Sequence, residues 1–146
     1  MGTRSVIGVM HGDVCKAVYC HWDGYLQHNG RILQKDYDSA KANHLVALGD
    51  ISSLKEDIGE KHEFDGYNRT DEERAKYEHM TTFYGRDRGE KGCEFKSFMD
   101  FESLVEFFDS CGGEYAYIMK DGVWFMFDDN DPTLRLLSVE LEKVAV

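Results

Sequence analysis

Residues 19 to 33, YCHWDGYLQHNGRIL, bring a thiol, two imidazoles, an indole, a carboxylate and a guanidinium around two glycines. Ring nitrogens, an aromatic face and glycines that admit close backbone approach suit a small anionic or planar ligand. Two other segments offer matching chemistry. GRDRGE, residues 85 to 90, sets Arg86 and Arg88 beside glycines, and an arginine fork takes phosphate or carboxylate in bidentate fashion. Gly2-Thr3-Arg4-Ser5 adds a further guanidinium and two hydroxyls. The candidate ligand-binding set is therefore Arg4, Ser5, His21, Trp22, Asp23, Arg86 and Arg88. Five of them have an ordinary structural alternative: Asp23 as a helix cap, Trp22 as core, His21 as a surface strand residue, and Arg86 and Arg88 as partners of Asp87 and Glu90.

Catalytic arrangements are weak by comparison. Cys20 and His21 are sequence neighbours, so on a strand their side chains take opposite faces and form no dyad. A hydrolase or transferase using His21 as base and Asp23 as its orienter is the remaining enzymatic reading. No phosphate-binding loop, nucleophile elbow or zinc motif is present. Cys15, Cys20, Cys93 and Cys111 lack paired metal spacing and read as reduced thiols, and the other histidines are scattered. Neither a metal nor a cofactor is expected.

Charge limits the partners. Residues 1 to 50 hold five acids and five bases, whereas residues 51 to 146 hold 23 acids against 12 bases, so the net charge of −11 arises in the second part. Such a surface repels phosphate backbones, and general nucleic-acid binding is disfavoured. Two uses of the acids stay open: solubility, or an acidic face that occupies a basic groove on a host enzyme or nuclease complex. No apolar run is long enough for a bilayer, Val6 breaks the myristoylation pattern, and no leader is apparent, so neither membrane nor export is expected. Homo-oligomerisation is left open.

The elements that must position these groups follow from pattern. A chain of 146 residues with one proline suits a single globular domain. RSVIGVM and VCKAVYCHW, separated by His11-Gly12-Asp13, predict a hairpin whose open end brings Thr3–Ser5 to Cys20–Trp22. A helix with a break near Asn29-Gly30 follows, then a second from Asp38 or Ser39 to before Gly49, and a capped turn at Ile51–Leu54. Residues 55 to 80 are expected to form a charged, mobile insertion carrying a helix capped at Thr70. Thr81–Tyr84 predicts a short strand, GRDRGE a loop, and Phe98–Phe108 an amphipathic helix. EYAYIMKDGVWFMFDD predicts a hairpin about Asp121-Gly122, and Pro132 a last helix. The order implies an α+β fold: an antiparallel sheet with β-hairpins, packed by helices on one side.

Together MGTRS, YCHWDGY, LGDISSL and YGRDRGE resemble a family of small proteins encoded by tailed bacteriophages. The likeness runs to about Glu90; beyond it EYAYI and DGVWF are the recognisable pieces. The resemblance carries over no reaction. It implies action in the cytoplasm of an infected bacterium, as an accessory protein of host takeover, counter-defence or nucleotide metabolism.

Overall fold

The computed structural model describes residues 2–64 and 69–144. The chain runs β1 (Ser5–His11), β2 (Val14–Cys20), a π-helical turn (Leu26–Gly30) continuous with α1 (Arg31–Asp36), and α2 (Ser39–Ala47). It continues through β3 (Ile51–Ser53), α3 (Asp71–Tyr77), β4 (Thr82–Phe83), α4 (Tyr84–Arg88) and β5 (Lys96–Phe98). It ends with α5 (Phe101–Ser110), β6 (Tyr115–Lys120), β7 (Val123–Asp128), β8 (Arg135–Leu136) and α6 (Leu137–Val144).

Both predicted hairpins form, each on a two-residue turn. Gly12 takes φ 63° between β1 and β2, and Asp121 and Gly122 take φ 52° and 78° between β6 and β7, the left-handed pair that a primed turn needs. The strand order is β4-β3-β2-β1-β6-β7-β8, with β5 also paired to β2. β1 meets β6 in parallel, and β2 meets β3 in parallel through the single pair Cys20–Ile51, so the sheet is mixed.

The α+β class and the hairpins are as expected, but helices cover both faces. Ile7, Val9, Val18, Tyr117, Trp124 and Met126 pack with the π-turn, α1, α2 and α6. On the other face Val6, Ala17, Ala116, Ile118 and Phe127 pack with Leu104 and Phe108 of α5. The cause lies in β1 and β6, whose successive residues are apolar; a strand apolar on both sides must be buried on both.

Three local expectations give way to tertiary pairing. Ile51–Ser53 is a strand, because β2 and β4 lend it a ladder on either side. GRDRGE is helical rather than a loop: α4 ends on Gly89 at φ 72°, and Asp87 accepts the N–H of Phe83 at 2.8 Å. The last helix begins at Leu137, not at Pro132, because Arg135 joins Asp128, Asp131 and Glu140 and holds its segment extended against β7. Within 55–80, the Thr70 capping box is present. The start of the stretch is tied to the body by Tyr37 Oη donating to Lys55 O at 2.8 Å, and its two ends meet where Asp57 N donates to His79 O at 2.9 Å. Residues 65–68 of that stretch lie outside the described residues.

Candidate binding cavity at the open end of the first hairpin

The register of β1 and β2 pairs Ser5 with Cys20, and the parallel register pairs Ser5 with Tyr115. The segments entering β1 and β6 and leaving β2 therefore meet at one end of the sheet. Backbone bonds fix them there: Glu114 N donates to Arg4 O at 2.9 Å, Gly24 N to Thr3 O at 2.8 Å, and Trp22 N to Ser52 O at 3.0 Å. A cavity of about 440 Å³ opens at this junction, lined by Gly2, Arg4, His21, Trp22, Gly112 and Glu114. Its volume lies within the usual range of small-ligand sites, about 300–1,000 Å³.

The turn beneath the cavity is built from groups that pattern reading passed over. Asn29 is fully buried, and its Nδ2 donates toward Ser5 Oγ at 3.3 Å, Cys20 Sγ at 3.4 Å and Trp22 O at 3.4 Å. Tyr117 Oη donates to Gly24 O at 2.6 Å. A Cβ at Gly24 would sit 2.7 Å from Ser5 Cβ, so the close approach requires glycine. The only advance sign of Asn29 was an Asn-Gly pair inside an otherwise helical stretch.

Within the cavity the groups differ in how fully they are occupied. Arg4 is exposed, and among the described residues its guanidinium makes one long contact, 3.5 Å to Cys111 O, and no ion pair. Trp22 is 43% exposed, with His21 edge-on to it at 4.6 Å. His21 Nδ1 lies 2.5 Å from Tyr19 Oη. Partial burial, and secondarily the positive charge of Arg4, lower the His21 pKa below its ordinary 6.5, while burial raises that of Tyr19. A neutral phenol donating to a neutral imidazole satisfies both shifts. Glu114, whose N–H is bonded to Arg4 O, adds an exposed acidic residue to the lining. The cavity thus presents an aromatic face, free guanidinium donors and an anionic acceptor.

The remaining sequence candidates are elsewhere. Ser5 is wholly buried under the turn and bonded by Asn29. Asp23 holds a left-handed turn at φ 55° and lends its carbonyl to Asn29 N; the N-cap of the π-turn is Tyr25, which makes no side-chain cap bond, so Asp23 is not the helix cap either. Nor is Asp23 a hydrogen-bond partner of His21, whose ring is oriented by Tyr19. Cys20 faces the helical core, where burial pushes its thiol up to about 11. That environment suppresses the thiolate a nucleophile needs.

Arg86 and Arg88 do not line the cavity. Arg86 bonds Asp87 through Nε and Nη2 at 3.0 and 3.2 Å, Ile58 O at 2.9 Å, Gly59 O at 3.2 Å and Thr81 O at 2.8 Å, with its plane 4.5 Å from the Phe83 ring. Asp87, with no exposed side-chain surface, also accepts His62 N at 3.0 Å, and His62 Nε2 reaches Thr81 O at 3.1 Å. The group is an internal clasp between α4 and residues 58–62. Arg88 pairs with Glu90 at 3.2 Å and lies over the Phe64 ring at 4.8 Å. The composite site over three segments therefore reduces to two, joined by Gly112 and Glu114. A larger opening of about 550 Å³ lies between α1, α2 and the β6–β7 turn. There Trp124 is buried and donates to Tyr37 O, and Asp38 is taken by Lys41 N. Its indole and its carboxylate are thus occupied and no arginine lines it, which makes the Arg4 cavity the better match for an anionic ligand.

Among the described residues no group of three or more histidine, cysteine or acidic side chains is placed to hold a metal, and no helix is long and apolar enough to cross a membrane. Comparison with known proteins returns no matching family model, curated protein or solved structure.

Proposed function

We propose that this chain is a non-catalytic binding protein for a small anionic ligand with a planar ring, held in the cavity of Arg4, His21 and Trp22. The observation that carries the proposal is the contrast between its arginines: Arg86 is bonded on every side by protein, whereas Arg4 stands at a cavity with most of its donors free. A phosphate or carboxylate would take the Arg4 fork, the ring would lie against Trp22, and Glu114 would accept from an N–H on the ligand. A nucleotide-derived molecule meets all three demands. In the infected bacterium that the phage resemblance implies, the use would be sequestration of a host signalling nucleotide. Binding rather than turnover is favoured by the raised Cys20 thiol and by the absence of an acidic partner for His21 among the described residues.

The test mixes purified protein with a bacterial nucleotide and metabolite extract and identifies retained molecules by mass spectrometry after denaturation. An anionic, ring-bearing molecule should be recovered unaltered. One charge-assisted arginine contact contributes about 1.5–3 kcal/mol, so Arg4→Ala should weaken retention about tenfold or more. Retention that survives both Arg4→Ala and Trp22→Ala refutes the site, and conversion of the molecule refutes the non-catalytic reading.

A further inference from the structure

The opposite end of the sheet carries a second recess with different chemistry. β1 and β6 run in parallel away from the Arg4 cavity, and α5 lies over the face between them. Ten residues of helix extend about 15 Å, too short to roof the whole face. Beyond Leu104 of α5, toward the Gly12-Asp13 turn, a recess of about 210 Å³ is left open. Cys15, Leu104 and Ile118 are its buried apolar groups, and Phe98, Phe101 and Leu134 also line it. Phe101 and Leu134 are 41% and 39% exposed, and the neighbouring Met99 is 71% exposed. Exposed apolar side chains grouped around a recess, rather than scattered singly, mark contact sites.

The charges around it have one sign. Asp13 and Asp100 line the recess, and α5 continues with exposed Glu102, Glu106 and Asp109 and no base of its own. Among the described residues none of these five acids forms an ion pair. Lys120 is the one base in the lining. By contrast the acids near β8 are matched: Asp128, Asp131 and Glu140 all meet Arg135.

We propose that this recess docks a basic segment of another protein, one large apolar side chain of which enters the recess while flanking lysines or arginines meet Asp13, Asp100 and Glu102. An apolar anchor in a desolvated pocket supplies the binding energy of such contacts, and the surrounding charges set partner and register. A second copy of this chain is the wrong partner, because it would bring the same excess of acids to the same place. The site is independent of the Arg4 cavity, which lies at the other end of β1 and β6.

Short random peptides displayed as a library and selected on the full-length protein test this. Enriched peptides should share a large apolar residue flanked by Lys or Arg, and Leu134→Glu should weaken them about tenfold or more. Met99→Glu, at a largely exposed position before the start of α5, should weaken them in the same direction without disturbing the fold. Asp100→Asn keeps an oxygen that can accept Ser103 N at the start of α5 and removes only charge. Combined with Asp13→Asn it should lower affinity severalfold and flatten the salt dependence. The proposal is overturned if nothing is enriched, if the enriched peptides lack basic residues, or if they bind the Leu134→Glu and Met99→Glu variants as well as the parent. It is equally overturned if the recess proves to mediate self-association, with the same variants turning a dimer into a monomer.

Discussion

Replacing Arg86 with alanine separates a structural arginine from a ligand-binding one. The substitution removes five hydrogen bonds and leaves the buried Asp87 carboxylate without its guanidinium partner. Breaking a buried pair from one side costs about 3–5 kcal/mol. Asp87 keeps two backbone donors, His62 N at 3.0 Å and Phe83 N at 2.8 Å, which places the loss near the lower limit, about 3 kcal/mol. For a chain of this size that lowers the melting midpoint by about 6–12 °C. Arg86→Lys restores the charge without the planar fork and should recover part of the loss. Arg4→Ala, at an exposed position with one long contact, should stay within about 0.5 kcal/mol of the parent. Urea unfolding followed by far-ultraviolet circular dichroism measures all three. An Arg86→Ala variant with parental stability and lost ligand retention would show that the clasp is a binding site and that the assignment of Arg4 alone is mistaken.

Arg4→Ala removes the positive charge that, after burial, holds the His21 pKa down, so that pKa should rise toward 6.5, as followed by NMR titration of its ring protons. Because the folded value is depressed, the stability linked to His21 is complete above pH 6.5 and declines as pH falls toward the folded value. Arg4→Ala should shrink that decline, and a downward shift of the pKa would contradict the assigned influence of Arg4. Thiol labelling of the native protein should modify Cys93 first and Cys111 more slowly. Cys15 and Cys20, whose burial pushes their thiols up to about 12 and 11, should react only on unfolding. Rapid labelling of Cys20 in the native protein would contradict its burial in the helical core.

Local chemistry in the chain determined a good part of this protein. Gly12 and the Asp121-Gly122 pair specify their turns through left-handed backbone angles, Asp38 and Thr70 specify helix starts by accepting N–H groups, and the apolar spacing of Leu104 and Phe108 specifies the buried side of α5. Hairpin pairing was enough to bring Arg4 toward His21 and Trp22. What tertiary structure decided were contacts between segments distant in sequence. The parallel union of β1 with β6 delivers Gly112 and Glu114 to the cavity, and Ile51–Ser53 becomes a strand only between β2 and β4. The fate of the arginines shows the reason most clearly. Arg4, Arg86 and Arg88 offer identical guanidinium groups, and although Asp87 and Glu90 hinted at local partners for the last two, that hint did not decide which arginine stays free. Only the folded chain brings the carbonyls of Ile58, Gly59 and Thr81 around Arg86 and leaves Arg4 beside open space, because the availability of a hydrogen-bond donor depends on what the rest of the chain places within about 3 Å of it.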